Sequence, residues 1–214
     1  MSKEQTIAAI RETGIVAVIR ADGEAELLDT TVALNQGGVK ALELTMTSPG
    51  ALDVLKEVSR RLTGEAILGI GSVLDAETAR LAILAGAQFV VSPILNYDII
   101  TMCQRYSIPC IPGAFTPTEI LNAWQAGADV VKVFPATKLG PGYLKDIKGP
   151  LPPVKLTPTG GINLENTGDF IRAGAEFVGV GGALVNKELI KSKNWTALSS
   201  LATQFIDEVR KARL

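Results

Sequence analysis

The sequence predicts an α/β fold, a parallel (β/α)8 TIM barrel with an extra N-terminal helix, built as one domain over residues 1–214. Three observations carry this. Roughly eight short apolar runs alternate with stretches of helical spacing, the order that lays a parallel sheet under a cover of helices. Gly37-Gly38-Val39, Gly86-Ala87-Gln88, Gly127-Ala128-Asp129 and Gly174-Ala175-Glu176 each close a helix just before an apolar run, a weak internal repeat. The length suits a single barrel and shows no linker, low-complexity stretch or second domain. A doubly wound open sheet is the alternative. The first βα turn lacks Gly-x-Gly-x-x-Gly, which weighs against a dinucleotide-binding form of that fold.

Taken in order, residues 2–12 place Ile7 and Ile10 at helical spacing. Ile15-Val16-Ala17-Val18-Ile19 is continuously apolar, as a strand buried on both faces must be. Arg20 ends it, and Asp22-Gly23 turns the chain into a helix over 24–36. Gly37-Gly38 stops that helix, and Leu42–Thr45 forms the next strand. Further strands are expected near 66–70, 88–92, 108–112, 130–134, 154–158 and 176–180, each separated from the next by a helix. The last helix runs from about Asn194 to Ala212.

Composition removes several kinds of chemistry. The net charge of −1 offers no basic surplus for nucleic acid or an anionic membrane surface. No apolar run approaches the ~20 residues needed to span a bilayer. Met1-Ser2-Lys3-Glu4-Gln5 leads into a helical segment rather than a signal-peptide core, so a cytoplasmic location is expected. Histidine is absent, which removes Ser-His and Cys-His nucleophile pairs and the commonest metal ligand. Cys103 and Cys110 lack zinc-type partners and read as packing residues of a helix and a strand. Neither a metal nor a cofactor is expected. Lysine, carboxylates, hydroxyls and backbone groups must do the work.

Lys132 stands in the middle of Asp129-Val130-Val131-Lys132-Val133-Phe134-Pro135, a strand candidate. Burying an ammonium without a partner drives its pKa down, and a neutral lysine is a nucleophile suited to Schiff-base formation. The plainer alternative is a lysine that reaches water past the strand end or pairs with a buried acid. Glu43 is the acid in question, a carboxylate inside Ala41-Leu42-Glu43-Leu44-Thr45-Met46-Thr47, with Thr45 and Thr47 on the same face by alternation. The two make either a structural ion pair or a nucleophile with its acid/base. Glycines follow the seventh and eighth strands, in Thr159-Gly160-Gly161 and Val180-Gly181-Gly182, beside helix starts where N–H groups can receive an anion. Gly69-Ile70-Gly71-Ser72, Ser92-Pro93 and Pro112-Gly113 add rims to the mouth, and Phe134 adds an apolar wall.

As an ordered set, Gly14-Ile15-Val16-Ala17-Val18-Ile19-Arg20, Glu43-Leu44-Thr45, Gly69-Ile70-Gly71-Ser72, Ser92-Pro93, Ile111-Pro112-Gly113, Lys132-Val133-Phe134-Pro135 and Pro158-Thr159-Gly160-Gly161 resembles the 2-keto-3-deoxy-6-phosphogluconate (KDPG) and 4-hydroxy-2-oxoglutarate (KHG) aldolases. The resemblance spans about residues 14–185. It implies a homotrimeric, metal-independent class I aldolase acting on a 2-keto-3-deoxy sugar acid. It implies Lys132 as the Schiff-base lysine and Glu43 as an acid/base working through a water. Ser72 then stands where a threonine usually touches the pyruvyl carboxylate. Pro93 and Phe134 line the pyruvyl pocket, and Thr159 faces the substrate hydroxyls. Gly160, Gly161, Gly181 and Gly182 form the phosphate pocket, with Arg20 near the anionic groups. Two positions depart from the pattern: Thr47 replaces an arginine common in the family, and Gly182 replaces a serine that helps hold phosphate. Other readings are a phosphate-binding barrel enzyme, such as an epimerase or a thiamin-phosphate synthase, and a non-catalytic trimeric scaffold. Trp124 and Trp195 read as packing or interface groups, and Lys138, Lys145 and Lys148 as solvated.

Overall fold

The computed structural model describes residues 1–214. Helix α1 (Lys3–Thr13) starts on Ser2, whose hydroxyl accepts from the Gln5 N–H while the Gln5 side chain accepts from the Ser2 N–H. Nine strands then follow along the chain: β1 (Ile15–Ile19), β2 (Ala41–Thr45), β3 (Ile67–Gly71), β4 (Phe89–Val91), β5 (Cys110–Ile111), β6 (Gly113–Ala114), β7 (Val131–Val133), β8 (Leu156–Pro158) and β9 (Val178–Val180). The larger helices between and after them are α2 (Glu24–Gln36), α3 (Ala51–Arg61), α4 (Ala76–Leu84), α5 (Tyr97–Arg105), α6 (Pro117–Gln125), α7 (Gly140–Lys148), α8 (Leu164–Arg172), α9 (Lys187–Lys191) and α10 (Trp195–Ala212).

All strand pairs are parallel, and the sheet is curled. Six strands run in the order β5-β4-β3-β2-β1-β9, and three in the order β6-β7-β8. The strand expected at 108–112 is β5 and β6, interrupted at Pro112, which has no N–H to give the ladder. Pro112 still accepts from the Lys132 N–H at 2.9 Å. Isolated parallel bridges, Leu156 with Ala175 and Thr159 with Gly179, connect β8 to the chain entering and flanking β9.

The burial of β1 explains its unbroken apolar run. Ile15, Ala17 and Ile19 enter the larger core, shared with the helices. Val16 enters a second core with Ile10, Ala41, Ile67, Phe89, Val91, Ile111, Val130 and Phe177. Ala41, Ile67 and Phe89 are the first residues of their strands, so this inner core fills the N-terminal end of the sheet, and Ile10 ties α1 to it. Phe89 fits there because Gly69 has no side chain: a Cβ at Gly69 would run into the ring. The strands' C-terminal ends are left for polar groups.

The glycine repeat has a structural basis. Gly38, Gly86, Gly127 and Gly174 take φ values of 93°, 108°, 92° and 99°. The next residue donates back to the helix each time, Val39 to Leu34, Ala87 to Ala82, Ala128 to Ala123 and Ala175 to Phe170. The first member is Gly38 rather than Gly37, which keeps a φ of −75° at the end of α2.

Candidate active site

Lys132 is the central residue of β7 and Glu43 the central residue of β2; they are 5% and 3% exposed. Both line one small cavity of about 10 Å³, with Thr157 and Thr159 from the β8 side and Val16, Val91, Ile111 and Phe177 from the inner core. Lys132 lies between Gly113 and Thr157 in the strand register, and Glu43 between Val18 and Gly69. Gly71, one pleat further along β3, makes room for the Glu43 carboxylate, which a Cβ there would strike. The ion pairs of the chain all lie elsewhere, so amine and carboxylate share a cavity without a direct salt bridge.

The surroundings push both groups toward neutrality. Burial lowers the Lys132 pKa from its ordinary value; Glu43 opposes the shift and Arg20 reinforces it. Burial raises the Glu43 pKa, against the smaller pull of Lys132 and Arg20. The Phe134 ring centroid is 4.7 Å from the Lys132 Nζ. That ring excludes water from the amine, although its face favours an ammonium. Desolvation is the larger influence, because the net shift of the lysine is downward.

Above the small cavity opens a cleft of about 780 Å³. It gathers Arg20, Thr47, Phe134, Thr159, Gly160, Gly161, Gly181 and Gly182 from the ends of five different strands. Thr159 lines both spaces and connects them. A Cβ at the neighbouring Gly179 would collide with the Thr159 hydroxyl, so that glycine sets the position of the threonine. Gly160 and Gly161 are left-handed, at φ 99° and 75°, and lead to Asn163, which caps α8 through the Asn166 N–H. Gly181 and Gly182 have open space where a side chain would stand.

Four positions differ from the sequence expectation. Alternation along β2 stops at Thr45, whose hydroxyl donates to the Ile19 carbonyl at 3.1 Å, and Thr47 lies exposed in the turn beyond. Its hydroxyl is 3.0 Å from that of Thr45. Ser72 and Pro93 stand at the C-terminal ends of β3 and β4 but line neither the cleft nor the small cavity. The cleft is centred over β1, β8 and β9, on the other side of the mouth. Lys148 is half-buried rather than freely solvated: its Nζ donates to the Pro152 and Val154 carbonyls at 3.3 and 2.8 Å.

Two lysines that the sequence alone does not single out, Lys187 and Lys191, also line the cleft. Four residues apart on α9, they reach the cleft on the side of Gly181 and Gly182, while Asp22 and Glu26 line it from the start of the chain's first βα unit. The spacing was visible in the sequence, but only the position of α9 over the mouth makes it informative. No group of three His, Cys, Asp or Glu side chains is placed to hold a metal ion. No helix is long and apolar enough to cross a membrane.

Comparison with known proteins adds three findings. A model of the KDPG and KHG aldolase family matches residues 6–201. A Haemophilus influenzae protein named 2-dehydro-3-deoxy-phosphogluconate aldolase is 35% identical over 209 residues, covering 97% of this chain and 98% of its own; a Pseudomonas aeruginosa protein of that name is 33% identical, covering 95% and 92%. A solved KDPG aldolase from Legionella pneumophila, with pyruvate captured as a covalent carbinolamine intermediate, superposes with a TM-score of 0.86 at 30% identity, covering 93% of this chain and 97% of that one.

Proposed function

This chain belongs to the KDPG and KHG aldolase family, and we propose that it is a class I aldolase that reversibly cleaves 2-keto-3-deoxy-6-phosphogluconate to pyruvate and glyceraldehyde 3-phosphate, with 4-hydroxy-2-oxoglutarate as a second substrate giving pyruvate and glyoxylate. The observation that carries the reading is a desolvated lysine and a desolvated carboxyl group on one cavity, beneath a cleft that offers cations and free backbone N–H groups. We read the two sheets as one closed (β/α)8 barrel with α1 as the added helix; chain continuity through Pro112 and the β8–β9 bridges support this.

In this mechanism neutral Lys132 attacks the C2 ketone carbon of the substrate; the Glu43 carboxyl group, through a water, gives its proton to the departing hydroxyl, which leaves as water, and a protonated imine and the Glu43 carboxylate remain. The C4 hydroxyl gives its proton, through a water, to the Glu43 carboxylate. The C3–C4 bond breaks as its electron pair moves toward the imine nitrogen, forming an enamine and releasing the aldehyde. Glu43 returns the proton to C3, and water hydrolyses the imine to free pyruvate and Lys132. Burial suits both partners: it shifts Lys132 toward the free amine and raises the pKa of the Glu43 carboxyl group, the direction a proton shuttle needs.

For binding, Phe134 walls the pyruvyl group on the cleft side, Pro93 and Ser72 would meet it and its carboxylate from the opposite rim of the mouth, and Thr159 meets the hydroxyls between the two ends. The phosphate lies against Gly160, Gly161, Gly181 and Gly182. Arg20, Lys187 and Lys191, all on the cleft, offset the side chains lost at Thr47 and Gly182. The protein works as a cytoplasmic homotrimer in this reading. The exposed apolar side chains Leu74, Leu81, Leu84, Ile94 and Tyr97 on one flank support assembly.

The direct test is borohydride reduction in the presence of pyruvate. The wild type gains the mass of a reduced pyruvyl adduct, and Lys132→Ala gains none. An untrapped wild type, or a Lys132→Ala variant trapped as fully, refutes the assignment.

A further inference from the structure

Thr157 has no part in the mechanism above, yet it is the strand neighbour of Lys132. The two are register partners on β8 and β7, so their side chains leave adjacent parallel strands on the same face. Thr157 is 3% exposed, and its hydroxyl has no hydrogen-bond partner within the protein. A buried hydroxyl is nearly always bonded, and a valine would fill the same space without the cost of desolvating an oxygen. A hydroxyl at this place beside the reactive amine calls for a polar neighbour.

The small cavity supplies the place. It is lined by Thr157 together with Glu43, Lys132 and Thr159, and its volume of about 10 Å³ is the room of one water. Those polar groups suffice for the roughly two to four partners that hold a buried water. A hydroxyl both donates and accepts, so it can keep such a water in place whichever way a proton has moved. We propose that Thr157 is a positioning residue, its hydroxyl anchoring the single water through which Glu43 exchanges protons with the substrate carbons held on Lys132. The proposal rests on the aldolase reading and adds a residue that is not needed for the imine itself.

The test separates imine formation from proton transfer. Wild type, Thr157→Val and Thr157→Ser are given pyruvate in D2O. Loss of the methyl hydrogens is followed by proton NMR across a range of pH, and borohydride trapping is measured in parallel. Thr157→Val should be trapped to the wild-type extent but exchange methyl hydrogens about tenfold or more slowly, part of what acid–base assistance supplies, with a displaced pH profile. Thr157→Ser should recover most of the rate. Should the valine variant fail to melt cooperatively, Thr157→Ala carries the same expectation. Exchange at the wild-type rate and pH profile in the hydroxyl-free variant overturns the proposal, as does a loss of trapping in proportion to exchange, the mark of a merely structural role. A wild type that is neither trapped nor exchanged overturns the aldolase reading instead.

Discussion

A lysine inside a sheet is tolerated only if its surroundings decide its protonation, and here they decide it by excluding water. The prediction at this scale concerns Phe134. Removing its ring in Phe134→Ser admits water to Lys132, which raises the amine's pKa, and deletes a ring–cation attraction, which lowers it. Burial is the larger influence on Lys132, so the net change is upward. Trapping needs the free amine, so in the wild type its rate rises with pH through a midpoint below the ordinary lysine value of about 10.4. In Phe134→Ser that midpoint should move toward ~10.4, leaving slower trapping at neutral pH. An unmoved or lower midpoint, read by mass spectrometry of the reduced adduct, would show that the ring acts chiefly through its attraction for the charge. The companion variant Glu43→Gln should still be trapped, while cleavage slows by about 10²–10⁴, the range for loss of a general acid/base. Loss of trapping instead would mean that Glu43 mainly keeps the pocket in shape.

Single elements show where sequence patterns hold and where they stop. The strands were legible because burial on both faces allows little but apolar residues, as in Ile15–Ile19. The helix ends were legible because only glycine takes the left-handed φ of Gly86, Gly127 and Gly174 cheaply. Lys132 and Glu43 stood out because a charge is costly in such strands. What could not be read depended on the path of the chain between elements. Alternation placed Thr47 on a strand that had already ended at Thr45. Nothing local separated Ser72 and Pro93 from the residues that do line the cleft. Nothing local told Lys187 and Lys191, which line it, from solvated lysines such as Lys138. Helix α9 therefore carries its own prediction. Charge-assisted contacts to phosphate contribute about 1.5–3 kcal/mol each, so Lys187→Met with Lys191→Met should raise KM for the phosphorylated sugar acid roughly tenfold or more. The non-phosphorylated 4-hydroxy-2-oxoglutarate should be little affected, since its far end stops short of the glycines. Equal losses on both substrates, in steady-state kinetics, would place the lysines outside the phosphate subsite.

At the scale of the whole molecule, the flank that carries α4 and α5 has more apolar surface than the rest of the chain explains. Leu81 and Leu84 of α4 are 57% and 64% exposed, and Leu74, Ile94 and Tyr97 around them are also open. Isolated exposed leucines are ordinary, but five exposed apolar side chains on two packed neighbouring helices and the loops before them suit an interface. Leu74 and Ile94 also follow Ser72 and Pro93 by only a residue or two, so whatever covers the flank also steadies that half of the mouth. On the homotrimer proposed above, light scattering behind a sizing column should return the mass of three chains. Leu84→Asp with Ile94→Asp should return single chains, because two carboxylates in an apolar contact cost more than its rim can offset. Lys132 and Glu43 stand on strands of the same chain, so the separated chains should still form the reduced pyruvyl adduct. Their demand for pyruvate should rise, because Ser72 and Pro93 lose the support behind them. A wild type that runs as a single chain would remove the flank from the argument. Separated chains that trap pyruvate at the original concentration would show that the two halves of the mouth are held independently, by the barrel alone.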